Sequence, residues 1–116
     1  MFFVSFSIGK IEKVGDLDLY VVGQGSKCII WNYDIFGFSG GRSRQMCDLF
    51  ADSGYLVIMP DFFRGDWLNF PKDMAKAPAF LQQHTQWDNL KEDWEKKILP
   101  FAEKKGAKVY GAVGKV

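Results

Sequence analysis

Histidine occurs once in this chain and cysteine twice. That scarcity excludes a Cys/His metal cluster and the disulfide framework of a small secreted domain, leaving Cys28 and Cys47 as reduced core thiols. No run of eighteen apolar residues exists, so a transmembrane helix is excluded on length. The apolar opening, residues 1–8, has no basic stretch before it and meets Lys10, Glu12 and Lys13 directly, which argues against a signal peptide and for a cytoplasmic chain. Neither sign of charge dominates. With 15 Lys and Arg against 14 Asp and Glu the net charge is +1, and no basic run points to nucleic acid or to an anionic membrane surface. Proline is sparse as well, and no low-complexity linker or internal repeat divides the chain.

What is present is a globular composition. At 47% hydrophobic and 25% charged, 116 residues suffice for one core and are too few for two, so residues 1–116 are predicted to form a single domain. Residues 17–23 alternate and then run apolar, ending in the turn Gly23-Gln24-Gly25-Ser26, which predicts a strand and its stop. Cys28-Ile29-Ile30-Trp31-Asn32-Tyr33 is apolar on both faces, as in a strand covered on each side. A glycine-bearing stretch, Gly37 to Gly41, leads into a helix over 42–53, where Met46, Leu49 and Phe50 recur at helical spacing and Gly54 supplies the stop. Tyr55-Leu56-Val57-Ile58-Met59 is a further apolar strand closed by Pro60-Asp61, completing a strand-helix-strand unit. Thr85 and Asp88 make an approximate capping box before Trp87, Leu90, Trp94, Ile98 and Phe101, the apolar face of the longest helix, bent at Pro100 and stopped at Gly106. Residues 107–113 then give another strand of the parallel set. The fold class is α/β.

Three local sequences stand out: Tyr33-Asp34-Ile35-Phe36-Gly37 after one strand, Pro60-Asp61-Phe62-Phe63-Arg64-Gly65 after the next, and Gly111-Ala112-Val113-Gly114-Lys115 at the end. In this order and spacing, over residues 9–115, the chain resembles the dienelactone hydrolase (carboxymethylenebutenolidase) family. The resemblance implies the N-terminal half of an α/β-hydrolase fold, a mostly parallel sheet with flanking helices, and in complete relatives a Cys-His-Asp triad that opens lactones or activated esters. Such a fold sets its nucleophile on a tight strand-to-helix turn of the form G-x-nucleophile-x-G, aimed at a developing oxyanion. Here Gly114-Lys115 begins that elbow and Val116 stands where the resemblance implies the catalytic cysteine, so the triad is expected to be missing and the chain inactive alone. By the same resemblance Asp34 occupies the place of the carboxylate that contacts the thiol, one methylene shorter than glutamate, and the backbone N–H of Ile35 contributes to the oxyanion hole. No metal or organic cofactor is implied, and the small-molecule partner is an ester or lactone.

Other readings of these residues stand beside that one. Asp34 on its own is also a carboxylate ending a strand, solvated or capping the next loop. Arg42, Arg44 and Arg64 are candidates for an anion pocket because guanidinium grips carboxylate bidentately, with Arg64 kept as a substrate-binding candidate, although such arginines more often serve the surface or the structure. Trp67, Trp87 and Trp94 are candidate pocket walls that more often simply pack. His84, in a polar stretch, is expected to be solvent-exposed or capping. A phosphate loop fails on spacing: a Walker A motif ending at Gly114-Lys115 needs glycine at 109, which is Val109, and a dinucleotide fingerprint from Gly37 needs glycine at Ser39 and Arg42. Finally, the last strand is expected to leave an apolar edge open, so the chain should self-associate, and a non-catalytic interaction fragment or truncated gene product is the alternative to an incomplete hydrolase.

Overall fold

The computed structural model describes residues 9–32, 43–65 and 73–114. A hairpin comes first. β1 (Lys10–Val14) and β2 (Leu17–Val22) pair antiparallel from Lys10↔Val21 to Val14↔Leu17 around a turn at Gly15 and Asp16. The sequence predicts β2 but no strand over 10–14, because Lys-Ile-Glu-Lys-Val has charges where a core strand would be apolar; those charges suit the outer edge that β1 occupies. β3 (Lys27–Asn32), β4 (Leu56–Pro60) and β5 (Val109–Gly114) form the parallel part, and β2 pairs antiparallel with β4. The sheet order is β1-β2-β4-β3-β5.

α1 (Ser43–Asp52) joins β3 to β4 and packs across β4 and β2. Its buried stripe is Cys47 and Ala51 with Phe50 partly buried, whereas Met46 and Leu49 lie outward and exposed. The predicted face is therefore rotated. Small Cys47 and Ala51 let the helix approach the sheet closely, and the two larger residues are left on its outer surface. The chain leaves α1 through a Schellman closure, with the N–H groups of Gly54 and Tyr55 donating to the carbonyls of Ala51 and Phe50.

Between β4 and β5 the chain makes a 3-10 turn (Met74–Lys76), α2 (Ala77–His84) and a long helical run. α2 is not predicted from the sequence; Pro78 sits in its first turn, where a missing N–H costs nothing, and Phe80 is its buried anchor. The long run comprises α3 (Trp87–Glu92), a π-helical turn (Asp93–Ile98) and α4 (Leu99–Lys104). The expected capping box does not form: Thr85 Oγ1 donates back to the Leu81 carbonyl, and Gln86 takes the N-cap position without a side-chain capping bond, its Nε2 donating instead to the Gln82 carbonyl at 2.6 Å. Instead of a simple bend at Pro100, the helix widens just before it. Proline has no N–H to donate and its ring crowds the carbonyl four residues back, and the π turn relieves that crowding. The wide turn also shifts the helical phase, so Trp87 is 69% exposed while Ile98 and Ala102 are fully buried.

Alternation along the strands shows how the layers cover the sheet. Trp31 packs on Phe50, with ring centroids 5.7 Å apart, and Tyr20 donates to Asp48 Oδ1 at 2.6 Å, so α1 covers that face. Leu19 and Ile30 point the other way and are equally buried, in one core with Ile98 and Ala102 of the long helical run. Among the described residues no helix is long and apolar enough to cross a membrane.

Candidate functional site

The order of the strands locates the functional end of the sheet. From β3 the chain crosses to β4 on one side, and from β4 it returns to β5 on the other side of β3. The carboxyl ends of β3 and β5 therefore flank a topological switch point, the crevice where open α/β sheets take their ligands. Asn32 pairs in register with Gly114, and its Nδ2 donates to the Val113 carbonyl at 3.4 Å, so the two strands end side by side. Asp34 and Ile35, together with Arg42, Trp67, Lys115 and Val116, lie outside the described residues.

The middle motif, residues 60–65, is described in full. Asp61 is buried; its N–H donates to the Asp18 carbonyl at 2.8 Å and its own carbonyl accepts from the Arg64 N–H at 3.0 Å. Phe62 stacks on Trp94 at 6.3 Å, and Phe63 meets Phe80 edge-on at 4.9 Å. Arg64 reaches in the opposite sense from the one a free anion receptor would. Its Nη1 and Nη2 grip Asp93 at 3.0 and 2.9 Å, Nε and Nη2 meet Asp16 at 3.3 and 3.4 Å, and Nη1 also donates to the Phe62 carbonyl. Lys97 closes the group, donating to Asp16 Oδ1 at 2.7 Å and lying 3.5 Å from Asp93 Oδ1. The hydrogen bond from Lys97, and then the Arg64 guanidinium, hold the Asp16 carboxyl down at about 2. In return, the bond to Asp93 raises Arg64 and the bond to Asp16 raises Lys97. A cavity of about 320 Å³ opens beside this group, bounded by Phe62, His84, Asn89 and the charged residues.

Asp16, Asp93 and Lys97 carry no signal in the sequence. Asp93 and Lys97 are a common i, i+4 pair, and nothing local ties them to a turn some 80 residues earlier. His84 also differs from expectation, being half-buried in the last turn of α2 against Phe80 at 4.6 Å and Phe63 at 5.2 Å. Its aromatic neighbours come from α2 itself and from the loop after β4, a meeting that only the tertiary fold creates. Arg44 lies over the Tyr20 ring at 5.1 Å, Trp94 is packed, and Trp87 is exposed. Neither thiol is placed for chemistry: both are buried, and burial pushes Cys28 up to about 11 and Cys47 up to about 12, where the nucleophilic thiolate is scarce. Among the described residues no group of three or more His, Cys, Asp and Glu is arranged to hold a metal.

Comparison with known proteins gives the same fold. The family model of the dienelactone hydrolases matches residues 19–114. A hydrolase of Aspergillus violaceofuscus, pyvD, is 40% identical over 76 residues, covering 62% of this chain and 29% of that protein. A carboxymethylenebutenolidase homolog of Rattus norvegicus is 41% identical over 83 residues, covering 62% of this chain and 34% of that protein. A solved Klebsiella pneumoniae structure described as a dienelactone hydrolase superposes with a TM-score of 0.66 at 17% identity, over 93% of this chain and 49% of that one. The alignments thus span about a third or less of these curated relatives and half of the solved chain.

Proposed function

The chain belongs to the dienelactone hydrolase family, and from that membership we propose that it builds the β3 side of a site for lactones or activated esters. In this reading Asp34 is the carboxylate that faces the reacting thiol, and the Ile35 N–H is one donor to the oxyanion. The observation that carries the proposal is the pairing of β3 with β5 in register through Asn32↔Gly114, which brings the leads to both motifs to one crevice. Two of the relatives, a hydrolase and a carboxymethylenebutenolidase homolog, bear names that agree with that chemistry.

The nucleophile is the missing part of this reading. Val116 follows Gly114-Lys115, and the only cysteines among the 116 residues are Cys28 and Cys47, buried with thiols held protonated. These 116 residues are therefore proposed to supply the carboxylate and oxyanion side of the site and no nucleophile of their own. The chain's compartment on this reading is the cytoplasm, where both thiols stay reduced. The test is hydrolysis of p-nitrophenyl acetate by the purified chain, with Cys28→Ser, Cys47→Ser and Asp34→Ala variants alongside. Turnover no greater than that of an inert protein is expected. Turnover abolished by either cysteine substitution would place a nucleophile in what is here only core and would sink the reading.

A second reading, a non-catalytic chain that associates with itself, is favoured by one feature. Val109 and Tyr110 of β5 are 60% and 42% exposed, on a strand paired on one edge only among the described residues. The opposite edge of the sheet, β1, carries Lys10, Glu12 and Lys13, whereas residues 109–113 carry no charge. An uncharged, exposed edge strand is a template for pairing with another chain.

A further inference from the structure

Arg64 stands in a conformation that its side chain alone does not favour. It is the only non-glycine residue with positive φ, 52°, among the described residues, and Gly65 follows at 87°. Crowding of Cβ against the carbonyl oxygen makes this region costly for most L residues, so Gly, Asn or Asp is the usual occupant. Arginine holds the position because its fork is fully engaged. A guanidinium has five N–H donors, and the five contacts to Asp16, Asp93 and the Phe62 carbonyl use every one. Asp93 is itself buried, with its side chain 7% exposed, so the Arg64–Asp93 pair is charge-assisted, bidentate and shielded on one side.

We propose that Arg64 is a positioning residue: it ties the turn after β4 to the β1–β2 hairpin at Asp16 and to the π-helical turn at Asp93, and it does not receive a substrate carboxylate. Three segments distant in the sequence meet at one guanidinium. The turn so fixed carries Phe62 onto Trp94 and Phe63 onto Phe80 and His84, which sets one wall of the 320 Å³ cavity at the carboxyl end of β4. The π turn has a part in this. It sets Asp93 among the buried residues of the helix, together with Ile98, facing the arginine. β4 lies on the far side of β3 from β5, so Arg64 is also displaced from the switch-point crevice. That the ester or lactone site lies at the β3–β5 crevice rests on the reading above; that the fork fixes the turn does not.

The experiment separates fork from backbone. Arg64→Gly removes the guanidinium while relaxing the left-handed φ, and Arg64→Lys keeps the charge without the fork. Both are expected to speed amide hydrogen exchange over residues 62–65 by roughly tenfold and to alter Trp94 fluorescence, with guanidinium ion at millimolar concentration partly restoring Arg64→Gly. In the unaltered chain, titration with acetate is expected to leave the Arg64 Nε–H resonance in place. Unchanged exchange in Arg64→Gly would overturn the proposal, as would a saturable acetate shift of Arg64. Should Arg64→Gly not fold, Asp16→Asn loosens one arm only and is expected to give a smaller acceleration over the same amides; no acceleration there counts against the proposal. None of these readouts depends on ester hydrolysis, so loss of the hydrolase reading would leave them intact.

Discussion

Single side chains in this protein are governed by whether their charges find partners. Asp16 lies on the surface, yet Lys97 and Arg64 hold its carboxyl at about 2 against an ordinary 3.8. A depressed carboxyl stabilises the fold fully above its unfolded value and loses that contribution as pH falls through its folded one. The difference in thermal midpoint between the parent chain and Asp16→Asn is therefore expected to be constant above about pH 4 and to shrink toward pH 2, read by circular dichroism across that window. A difference that persists unchanged at pH 2 would mean that the contacts to Asp16 do not depend on its charge. Tyr20 shows the converse. Burial first, and then its hydrogen bond to Asp48, push its hydroxyl up to about 12, so it stays a neutral donor across the physiological range.

Elements meet here at close backbone approaches as much as at side-chain contacts. Gly23, where β2 ends, has φ 79°, and a Cβ there would lie 2.2 Å from the Tyr55 carbonyl oxygen and 2.8 Å from the Ala51 Cβ. Gly54, at the end of α1, has φ 96° and nothing within 4 Å of an added Cβ. Both alanine substitutions strain the backbone, by about 1 to 2 kcal/mol. Only Gly23→Ala must also push the end of α1 from the sheet, so its cost is expected to exceed that of Gly54→Ala by about 2 kcal/mol. Paired urea titrations measure this, and equal costs would show that the β2–α1 junction yields freely. The long helical run makes a related point. Its widened turn at Asp93–Ile98 is what buries both Asp93 and Ile98, so a helix of uniform pitch would place one of them wrongly.

At the scale of the whole molecule, the two ends of the sheet behave differently. β1 ends it with lysines and a glutamate, and β5 with exposed Val109 and Tyr110. If β5 mediates self-association, Val109→Lys is expected to shift the chain toward monomer in sedimentation velocity while leaving its circular dichroism unchanged; an unaltered distribution of species would place the contact elsewhere. The α/β class, the four strands β2 to β5 and two of the helices are legible in the sequence, because each rests on apolar periodicity and on turn residues that act within a few positions. It also carried the family resemblance, since three short motifs in fixed order survive without any knowledge of their contacts. It could not supply β1, whose charges make sense only once it is an edge, or α2, anchored by one buried phenylalanine. Nor could it give the phase of the long helix, which depends on how the chain accommodates Pro100. The grip of Asp16 and Asp93 on Arg64 emerges with the folded topology alone: such a contact follows from which loops a sheet order of β1-β2-β4-β3-β5 brings together, and no local pattern encodes that.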